Sequence, residues 1–294
     1  MKFFLSSLII TSLVSQVFCA NNFAGIGGSN SKGGNSAYTC RSQTDWNNLA
    51  NNARNNGFRA IRITGFDCDA LHRASRAAAA AGIQVLAGIY IAGTVASTTV
   101  QVNNEVQIFR QAYAEFGAGR YVGLTIGNEV NDSTGNIMAR VYDIRGYLRS
   151  VGVNTPVSTV HTWVRIRDEP ALCGADFVAA NAHTFYDGGR TSAQAGTFVF
   201  QTVVPALKSR CPGKNVIITE SGWPSRGGRL GVAVPSVADE RTALQRLNCA
   251  AAADRSVSLY AFEADDQLWK GNDNERSFGI FGKINLQNDV FASC

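Results

Sequence analysis

The sequence has few of the side chains that hold metal ions or contact nucleic acids. Its 294 residues include three histidines, no pair of cysteines in a C-x-x-C arrangement and no run of lysines or arginines. The 27 Lys and Arg residues outnumber the 22 Asp and Glu residues only enough to give a formal net charge of +5. A zinc site and nucleic-acid binding are therefore disfavoured. We expect a protein without a metal ion, a cofactor or a nucleic-acid partner.

Long apolar runs are also missing, except near the first residue. A single lysine precedes an apolar stretch over Phe3–Val17, and small residues follow it. This order is typical of a secretory signal peptide, and the serines and threonines inside the stretch make it a poor membrane-spanning helix. The last residue, Cys294, is not preceded by the hydrophobic tail of a lipid anchor. We expect a signal peptide over 1–19, one folded domain over 20–294, and a secreted protein without a membrane anchor.

Six cysteines remain after the expected signal peptide. An even number of cysteines in an exported chain favours three disulfides over metal ligands. The sequence alone allows many pairings, and we predict the sequential one because each such pair joins neighbouring segments of the barrel inferred below. The predicted pairs are Cys40 with Cys68, Cys173 with Cys211, and Cys249 with Cys294.

Strand-like and helix-like stretches alternate through the rest of the chain. The strand candidates are rich in Val and Ile, which indicates strands that are buried on both faces of a parallel sheet. Eight such units without a second domain predict an α/β fold, a single-domain (β/α)8 TIM barrel, with a doubly wound open sheet as the alternative. The predicted strands cover residues 23–27, 60–64, 84–90, 122–127, 157–161, 177–182, 216–219 and 258–262. The predicted helices cover residues 46–56, 71–81, 104–116, 137–150, 200–208 and 238–253, with a short crossover near 165–172.

Four residues are predicted to mark the ends of the first two helices. Asp45 and Asp69 stand where a side chain can accept hydrogen bonds from the free amides of a first helical turn. Gly57 and Gly82 follow the last turns, where a positive φ is needed.

Two of the predicted strands, the fourth and the seventh, end in a glutamate. Glu129 follows the strand-like stretch Leu124–Asn128, and Glu220 follows Val216–Thr219. A carboxylate beside buried residues is costly unless it faces a polar cleft, and barrels of this type carry reactive side chains at the carboxyl ends of their strands. A single glutamate there is more often a helix cap or part of an ion pair, but two of them favour a shared site. One protonated and one ionised carboxyl group are what glycoside hydrolysis requires.

The segments around both glutamates resemble the signature segments of glycoside hydrolase family 17. They read Gly-Asn-Glu-Val over 127–130 and Thr-Glu-Ser-Gly-Trp-Pro-Ser over 219–225. Further similarity lies over 175–182 and 262–270, so the likeness covers essentially the whole chain after the signal peptide. The fungal branch, the β-1,3-glucanases and β-1,3-glucanosyltransferases of the cell wall, is the most similar.

The resemblance implies roles for individual residues. Glu129 is the expected general acid/base and Glu220 the expected nucleophile of a retaining mechanism with a covalent glycosyl-enzyme. A separation of about 5 to 5.5 Å between the two carboxyl groups is typical of retention. The expected substrate-binding residues are Asn128, near the sugar 2-hydroxyl, and His183, Phe185, Tyr186, Trp223, Glu263, Trp269 and Lys270.

Several of these side chains have a structural alternative. Phe185 and Tyr186 line the sugar site or pack beneath a loop, and Trp223 and Trp269 stack on sugar faces or are buried in the core. Lys270 contacts a sugar or the acid, or is simply solvated.

Three further positions lie near the expected site. Gln267 stands where glutamate is common in the family, and an amide cannot carry the negative charge of that glutamate. His161 stands where an acidic residue is frequent, and either a pH-sensitive contact or a packed surface histidine fits it. Glu263 is expected to hold Glu129 or Lys270 by a charge-assisted hydrogen bond.

The sequence thus predicts a secreted, monomeric enzyme of the cell wall that acts on β-1,3-glucan by hydrolysis, by transfer to another glucan chain, or by both. The alternative is a catalytically weak β-glucan-binding wall protein, which the presence of both glutamates disfavours. A serine hydrolase at Ser221 is rejected because no G-x-S-x-G motif surrounds that serine.

We predict that the glycosylation sequon Asn131-Asp132-Ser133 is unoccupied, because a glycan two residues beyond Glu129 would crowd the expected cleft. The intact mass of protein secreted by its native host should equal that of the disulfide-bonded polypeptide. An excess mass that enzymatic deglycosylation removes from Asn131 would contradict this prediction.

Overall fold

Eight parallel strands close into a barrel in the computed structural model, which describes residues 20–292 and residue 294. Each strand pairs with its neighbours in sequence, and β1 pairs with β8. The predicted single-domain (β/α)8 barrel is confirmed, and the open sheet is excluded. The predicted signal peptide lies outside the described residues. The strands are β1 Gly25–Gly27, β2 Ala60–Arg62, β3 Gln84–Ile89, β4 Tyr121–Asn128, β5 Val157–Thr162, β6 Val178–Asn181, β7 Val216–Ser221 and β8 Val257–Ala261.

The α-helices pack around the outside of this barrel. In the described part of the chain, none is long and apolar enough to cross a membrane. The predicted helix over 200–208 is one part of a longer composite, in which a π-helical turn separates α6 from α7. The helices are α1 Gln43–Asn55, α2 Ala70–Ala81, α3 Thr99–Phe116, α4 Thr134–Ser150, α5 Trp163–Asp168, α6 Ala195–Phe198, α7 Val204–Arg210 and α8 Val237–Ala253.

The first two helices begin differently from the prediction and end as predicted. Ser42, not Asp45, is the N-cap of α1; its hydroxyl accepts a bond from the Asp45 amide, and the Asp45 carboxylate accepts one from the Ser42 amide. This reciprocal capping box places the acid three residues inside the helix. Asp69 occupies the N-cap position of α2 without a capping bond. Gly57 and Gly82 have the expected positive φ, +79° and +70°.

The inward face of the barrel changes character along the strands. A buried apolar cluster inside the barrel includes Ala60 of β2, Ala179 of β6 and Tyr260 of β8. Two residues further along, the same faces of β2 and β6 carry Arg62 and Asn181, because side chains of a strand alternate with a period of two. The apolar layer closes the barrel from below, so a polar site can form only at the carboxyl ends of the strands.

Three disulfides tie peripheral segments together, and their pairing is the predicted sequential one. Cys40–Cys68 joins the loop after β1 to the loop after β2. Cys173–Cys211 and Cys249–Cys294 join more distant segments on the outside of the barrel.

A buried acidic side chain connects α8 to the loops after β7 and β8. Glu240 is only 1% exposed, and the Nζ atom of Lys283 lies 3.0 Å from its Oε2 atom. The same ammonium group lies 3.1 Å from Asp266 Oδ1 and donates a 2.7 Å bond to Ser225 Oγ. Burial raises the pKa of Glu240 to about 8, and Lys283 offsets only part of that rise. The folded protein therefore binds a proton at Glu240 more tightly than the unfolded chain does.

We predict that the contribution of Glu240 to the free energy of unfolding falls as the pH rises from about 4.5 to about 8, because in this window the folded state binds a proton at Glu240 more tightly than the unfolded state does. Glu240→Gln should flatten this dependence, most clearly in its upper half. Chemical denaturation at a series of pH values measures it, with Asp143→Asn, which removes an exposed carboxylate paired with an arginine, as the control. An unchanged pH dependence in the Glu240 variant would show that the group titrates normally.

Candidate active site

A cleft of about 1170 Å³ opens at the carboxyl ends of the strands. Both predicted catalytic glutamates line it, and so do six of the eight residues predicted to bind substrate. The structure therefore gathers the predicted side chains from four strand ends, those of β4, β6, β7 and β8, into one site. The predicted residues on its walls are Asn128, Glu129, His183, Tyr186, Glu220, Glu263, Trp269 and Lys270.

Glu129 enters the cleft from a kink directly after β4. Gly127 has a φ of +79°, and a Cβ atom there would lie 2.2 Å from the Cγ2 atom of Val130, so only glycine fits. Glu129 itself has a φ of +53°, which is rare for a residue with a side chain and often marks a functional site. Its backbone amide donates to Val160, and its Oε1 atom accepts a 2.8 Å bond from the Asn181 amide group.

Glu220 lies in β7 between a guanidinium group and an imidazole. Arg62 Nη1 donates to its Oε1 atom over 2.6 Å, and His183 Nε2 lies 3.2 Å from its Oε2 atom. Burial alone would raise the pKa of Glu220, but Arg62 and then His183 outweigh this effect and lower the pKa to about 2. The Glu220 carboxylate is therefore ionised at any ordinary pH, as a nucleophile must be.

Polar side chains connect the surroundings of the two glutamates. The Nη2 atom of Arg62 donates a 2.8 Å bond to Asn128 Oδ1, which also accepts a 3.3 Å bond from Asn181 Nδ2. Asn181 is held in turn by a 2.8 Å bond from the Thr219 hydroxyl. Asn181 thus contacts both Glu129 and Asn128, and Arg62 contacts both Asn128 and Glu220. Neither Arg62 nor Asn181 was among the predicted site residues, although a charge inside the apolar stretch of β2 was a signal like that of the glutamates.

A second group of charges lies at the end of β8. Lys270 Nζ is 3.0 Å from Glu263 Oε1 and 3.7 Å from Glu275 Oε2, and the Tyr186 hydroxyl donates to Glu275. Burial raises the pKa of Glu263 to about 7, which Lys270 reduces only in part. Glu263 was predicted to hold Glu129 or Lys270, and in the structure it holds Lys270. Glu275 was not predicted, because nothing in the surrounding loop sequence distinguishes it from a solvated carboxylate.

An aromatic wall completes one side of the cleft. Trp269 lies edge-on to Tyr38, with ring centroids 4.9 Å apart, and its indole nitrogen donates a 2.9 Å bond to Gln267. The Tyr38 hydroxyl donates a 2.5 Å bond to Asp67. The buried Gln267 therefore orients Trp269 through a neutral hydrogen bond, at a position where the family commonly has a charge.

For Phe185 and Trp223 the structural alternative holds and the expected role in substrate binding does not, and the surface placement of His161 was wrong. Phe185 and Trp223 are 1% and 0% exposed and pack edge to face against each other, with centroids 5.2 Å apart, so neither can stack on a sugar. The turn after β7 points Trp223 into the core, where its nitrogen donates to the Val234 carbonyl. His161 is fully buried and not on the surface. Burial and then the nearby Arg165 lower its pKa to about 3, so it is neutral at ordinary pH.

The fold and the cleft together define a class of protein. Two carboxyl groups that face one cleft are the usual equipment of a glycoside hydrolase, and here they stand at the carboxyl ends of a barrel. A model of the BtgE/BtgC glycoside hydrolase domain matches residues 29–280, and the chain belongs to this family.

Two relatives illustrate the family. The chain is 31% identical over 239 residues to the cell surface mannoprotein MP65 of Candida albicans. The alignment covers 78% of this chain and 60% of the relative. It is also 31% identical over 222 residues to the probable family 17 glucosidase SCW4 of Saccharomyces cerevisiae. That alignment covers 73% of this chain and 54% of the relative. The chain therefore spans little more than half the length of these relatives.

Solved structures show the same architecture. The glycoside hydrolase family 17 β-1,3-glucanosyltransferase of Rhizomucor miehei superimposes with a TM-score of 0.73 at 23% identity, over 88% of this chain and 92% of that one. An active-site mutant of that enzyme in complex with laminaritriose gives a TM-score of 0.74 at 21% identity, over 93% and 97%. At these identities the likeness establishes the fold.

We predict that Arg62→Met raises the pKa of Glu220 well above its present value of about 2, because burial is the largest influence on this carboxyl group and Arg62 is its largest opponent. A pH titration of the glutamate carboxyl carbons by NMR measures the change. Arg41→Met, which removes another buried guanidinium paired with a carboxylate, is the matched control and should leave Glu220 unaffected. Titration of Glu220 still near pH 2 in the Arg62 variant would contradict the assignment.

Proposed function

We propose that this protein is a retaining glycosidase and transglycosylase that acts on β-1,3-glucan, with Glu220 as nucleophile and Glu129 as general acid/base. The observation that carries the proposal is the different surroundings of the two carboxyl groups. Glu220 is buried against a guanidinium group and an imidazole, whereas the polar contact of the Glu129 side chain is the neutral amide of Asn181. In the described residues no cation pairs with Glu129, and we therefore assign it the role of general acid/base beside the ion-paired nucleophile.

The proposed reaction follows from these positions. Glu129 donates its proton to the glycosidic oxygen as that bond breaks, and the Glu220 carboxylate forms a bond to the anomeric carbon. Glu129, now ionised, accepts a proton from the incoming hydroxyl group, which displaces Glu220 and restores it. Asn128, held by Arg62 and Asn181, is placed beside Glu129 to bond the sugar 2-hydroxyl. Lys270, oriented by Glu263, presents a cation to the same sugar.

The choice of β-1,3-glucan rests on the relatives and on the aromatic residues of the cleft. A family 17 glucosidase is similar in sequence, and the neighbour that binds laminaritriose shares the fold over most of the chain. Tyr38, Tyr186 and Trp269 provide partly exposed rings that suit the apolar faces of glucose units.

Transfer competes with hydrolysis when a sugar, and not water, resolves the glycosyl-enzyme. Trp163, Val164 and Phe198 line the cleft beside the loops after β5 and β6, and Val164 is 39% exposed. An apolar surface there favours an acceptor sugar over water. We therefore include glucanosyl transfer in the proposal.

Secretion to the cell wall is proposed on two grounds. The three disulfides suit an oxidising compartment, and one relative is a cell surface mannoprotein. The name of that relative also favours the alternative function, a wall protein that binds β-glucan with little catalysis. The monomeric state stays a prediction.

We predict that a defined laminari-oligosaccharide gives both shorter and longer products over time. Chain lengths are followed by chromatography, and the anomer released first is followed by proton NMR, where the β-anomer indicates retention. Glu129→Ala and Glu220→Ala should each reduce the rate by several orders of magnitude, whereas the exposed Glu115→Gln should act like the natural protein.

Each contrary outcome removes a different part of the proposal. Shorter products alone leave hydrolysis and exclude transfer, and release of the α-anomer excludes retention. Binding of the oligosaccharide without any product supports the wall-binding alternative. Full activity in either alanine variant overturns the assignment of that glutamate.

A further inference from the structure

The segment that presents Glu129 is held at several points beyond the cleft. Glu129 has a left-handed backbone, which is unfavourable for a residue with a side chain and persists only when neighbouring contacts maintain it. Its own amide makes one such contact, a 2.8 Å bond to the Val160 carbonyl of β5. The residues that follow, 130–132, must also stay in place, because their movement would let Glu129 relax to an ordinary conformation.

Arg165 on α5 binds the segment 130–132 through both terminal nitrogens of its guanidinium group. Nη1 donates a 2.6 Å bond to the Val130 carbonyl, and Nη2 donates a 2.7 Å bond to the Asp132 carbonyl. Nε donates a 3.2 Å bond to Glu169, which fixes the plane of the group. The two bound carbonyls are two residues apart, so the planar fork of arginine spans them, whereas the single ammonium of a lysine cannot.

The imidazole beneath this clamp is fixed by the same guanidinium group. His161 Nδ1 lies 3.4 Å from Arg165 Nη1, and its Nε2 atom lies 3.1 Å from the Thr159 hydroxyl. A neutral imidazole with its hydrogen on Nε2 accepts from Arg165 and donates to Thr159, so both contacts are satisfied. The Arg165 guanidinium group therefore packs against a buried, neutral imidazole, which accepts a hydrogen bond from it and does not repel its positive charge.

The carboxylate of Asp132 ties the same segment to two other elements. It accepts bonds from the Val95 amide in the loop after β3, from the Ser133 amide, and from the Asn136 side chain in α4. Arg165 thus completes a set of contacts from three sides around residues 130–132. It does not line the cleft.

We propose that Arg165 is a positioning residue for Glu129, which holds the backbone after β4 so that the carboxyl group reaches the glycosidic oxygen. This inference rests on the proposed function of Glu129. Arg165 contacts neither the substrate nor the reacting atoms. It affects the reaction only by positioning Glu129.

Arg165→Lys tests the proposal, because it keeps the positive charge and removes the two-carbonyl clamp. On a laminari-oligosaccharide, kcat should fall about 100-fold, the order expected for a reacting group displaced by about 1 Å, with KM little changed. The second substrate is an aryl laminaribioside whose dinitrophenolate leaving group departs without protonation. On this substrate, kcat/KM of the variant should stay near that of the natural protein. Azide, which needs no general base, should restore kcat on that substrate.

The concentration of folded enzyme is measured for each variant by labelling Glu220 with a 2-fluoro glycoside that carries the same leaving group. The rate per active site is then valid even for a variant that is partly unfolded. Arg110→Lys, an exposed arginine of α3, is the charge-matched control and should leave all rates unchanged. An equal loss on both substrates without rescue by azide would mean that Arg165 has only a structural role.

Glu129→Ala is measured alongside, and it distinguishes failure of the inference about Arg165 from failure of the proposed function. If it shows the dependence on leaving group and the azide rescue while Arg165→Lys does not, the inference about Arg165 fails and the function of Glu129 stands. If Glu129→Ala is fully active, the proposed function fails first.

Discussion

The ion pair between Arg62 and Glu220 is the contact on which the rest of the site depends. Each charge is nearly buried at the centre of the barrel, where an unpaired charge would cost several kcal/mol. Their pairing keeps Glu220 ionised, and the second arm of the guanidinium group holds Asn128. The geometry at the end of β4 and the charge at the end of β7 are therefore set by one side chain of β2.

This pair is tolerated because the barrel separates its two layers cleanly. The apolar layer below excludes water from one end of the pair, while the cleft above supplies one polar neighbour to each partner, Asn128 to Arg62 and His183 to Glu220. The period-two alternation of β2 and β6 places both layers on the same inward faces. A single sequence rule thus produces both the core and the floor of the site.

That rule explains which features the sequence reveals. Eight apolar stretches with intervening helices predicted the barrel, and a charge at the end of such a stretch predicted Glu129 and Glu220. Residues carried by long loops, such as Glu275, were missed because loop sequence does not state which side chains turn inward. Trp223 was misassigned for the same reason: its place next to Glu220 in the chain says nothing about the turn that sends it into the core. Arg62 was overlooked although it obeys the rule that found the glutamates.

The disulfide between Cys40 and Cys68 has a consequence for the thermodynamics of recognition. It joins the two loops that carry Tyr38 and Asp67, whose mutual hydrogen bond supports the aromatic wall. Loops of this kind otherwise lose conformational entropy when a ligand arrives, and that loss weakens affinity. Here the loss has already occurred during oxidative folding, so the rim of the cleft is preorganised before it meets a chain of sugars.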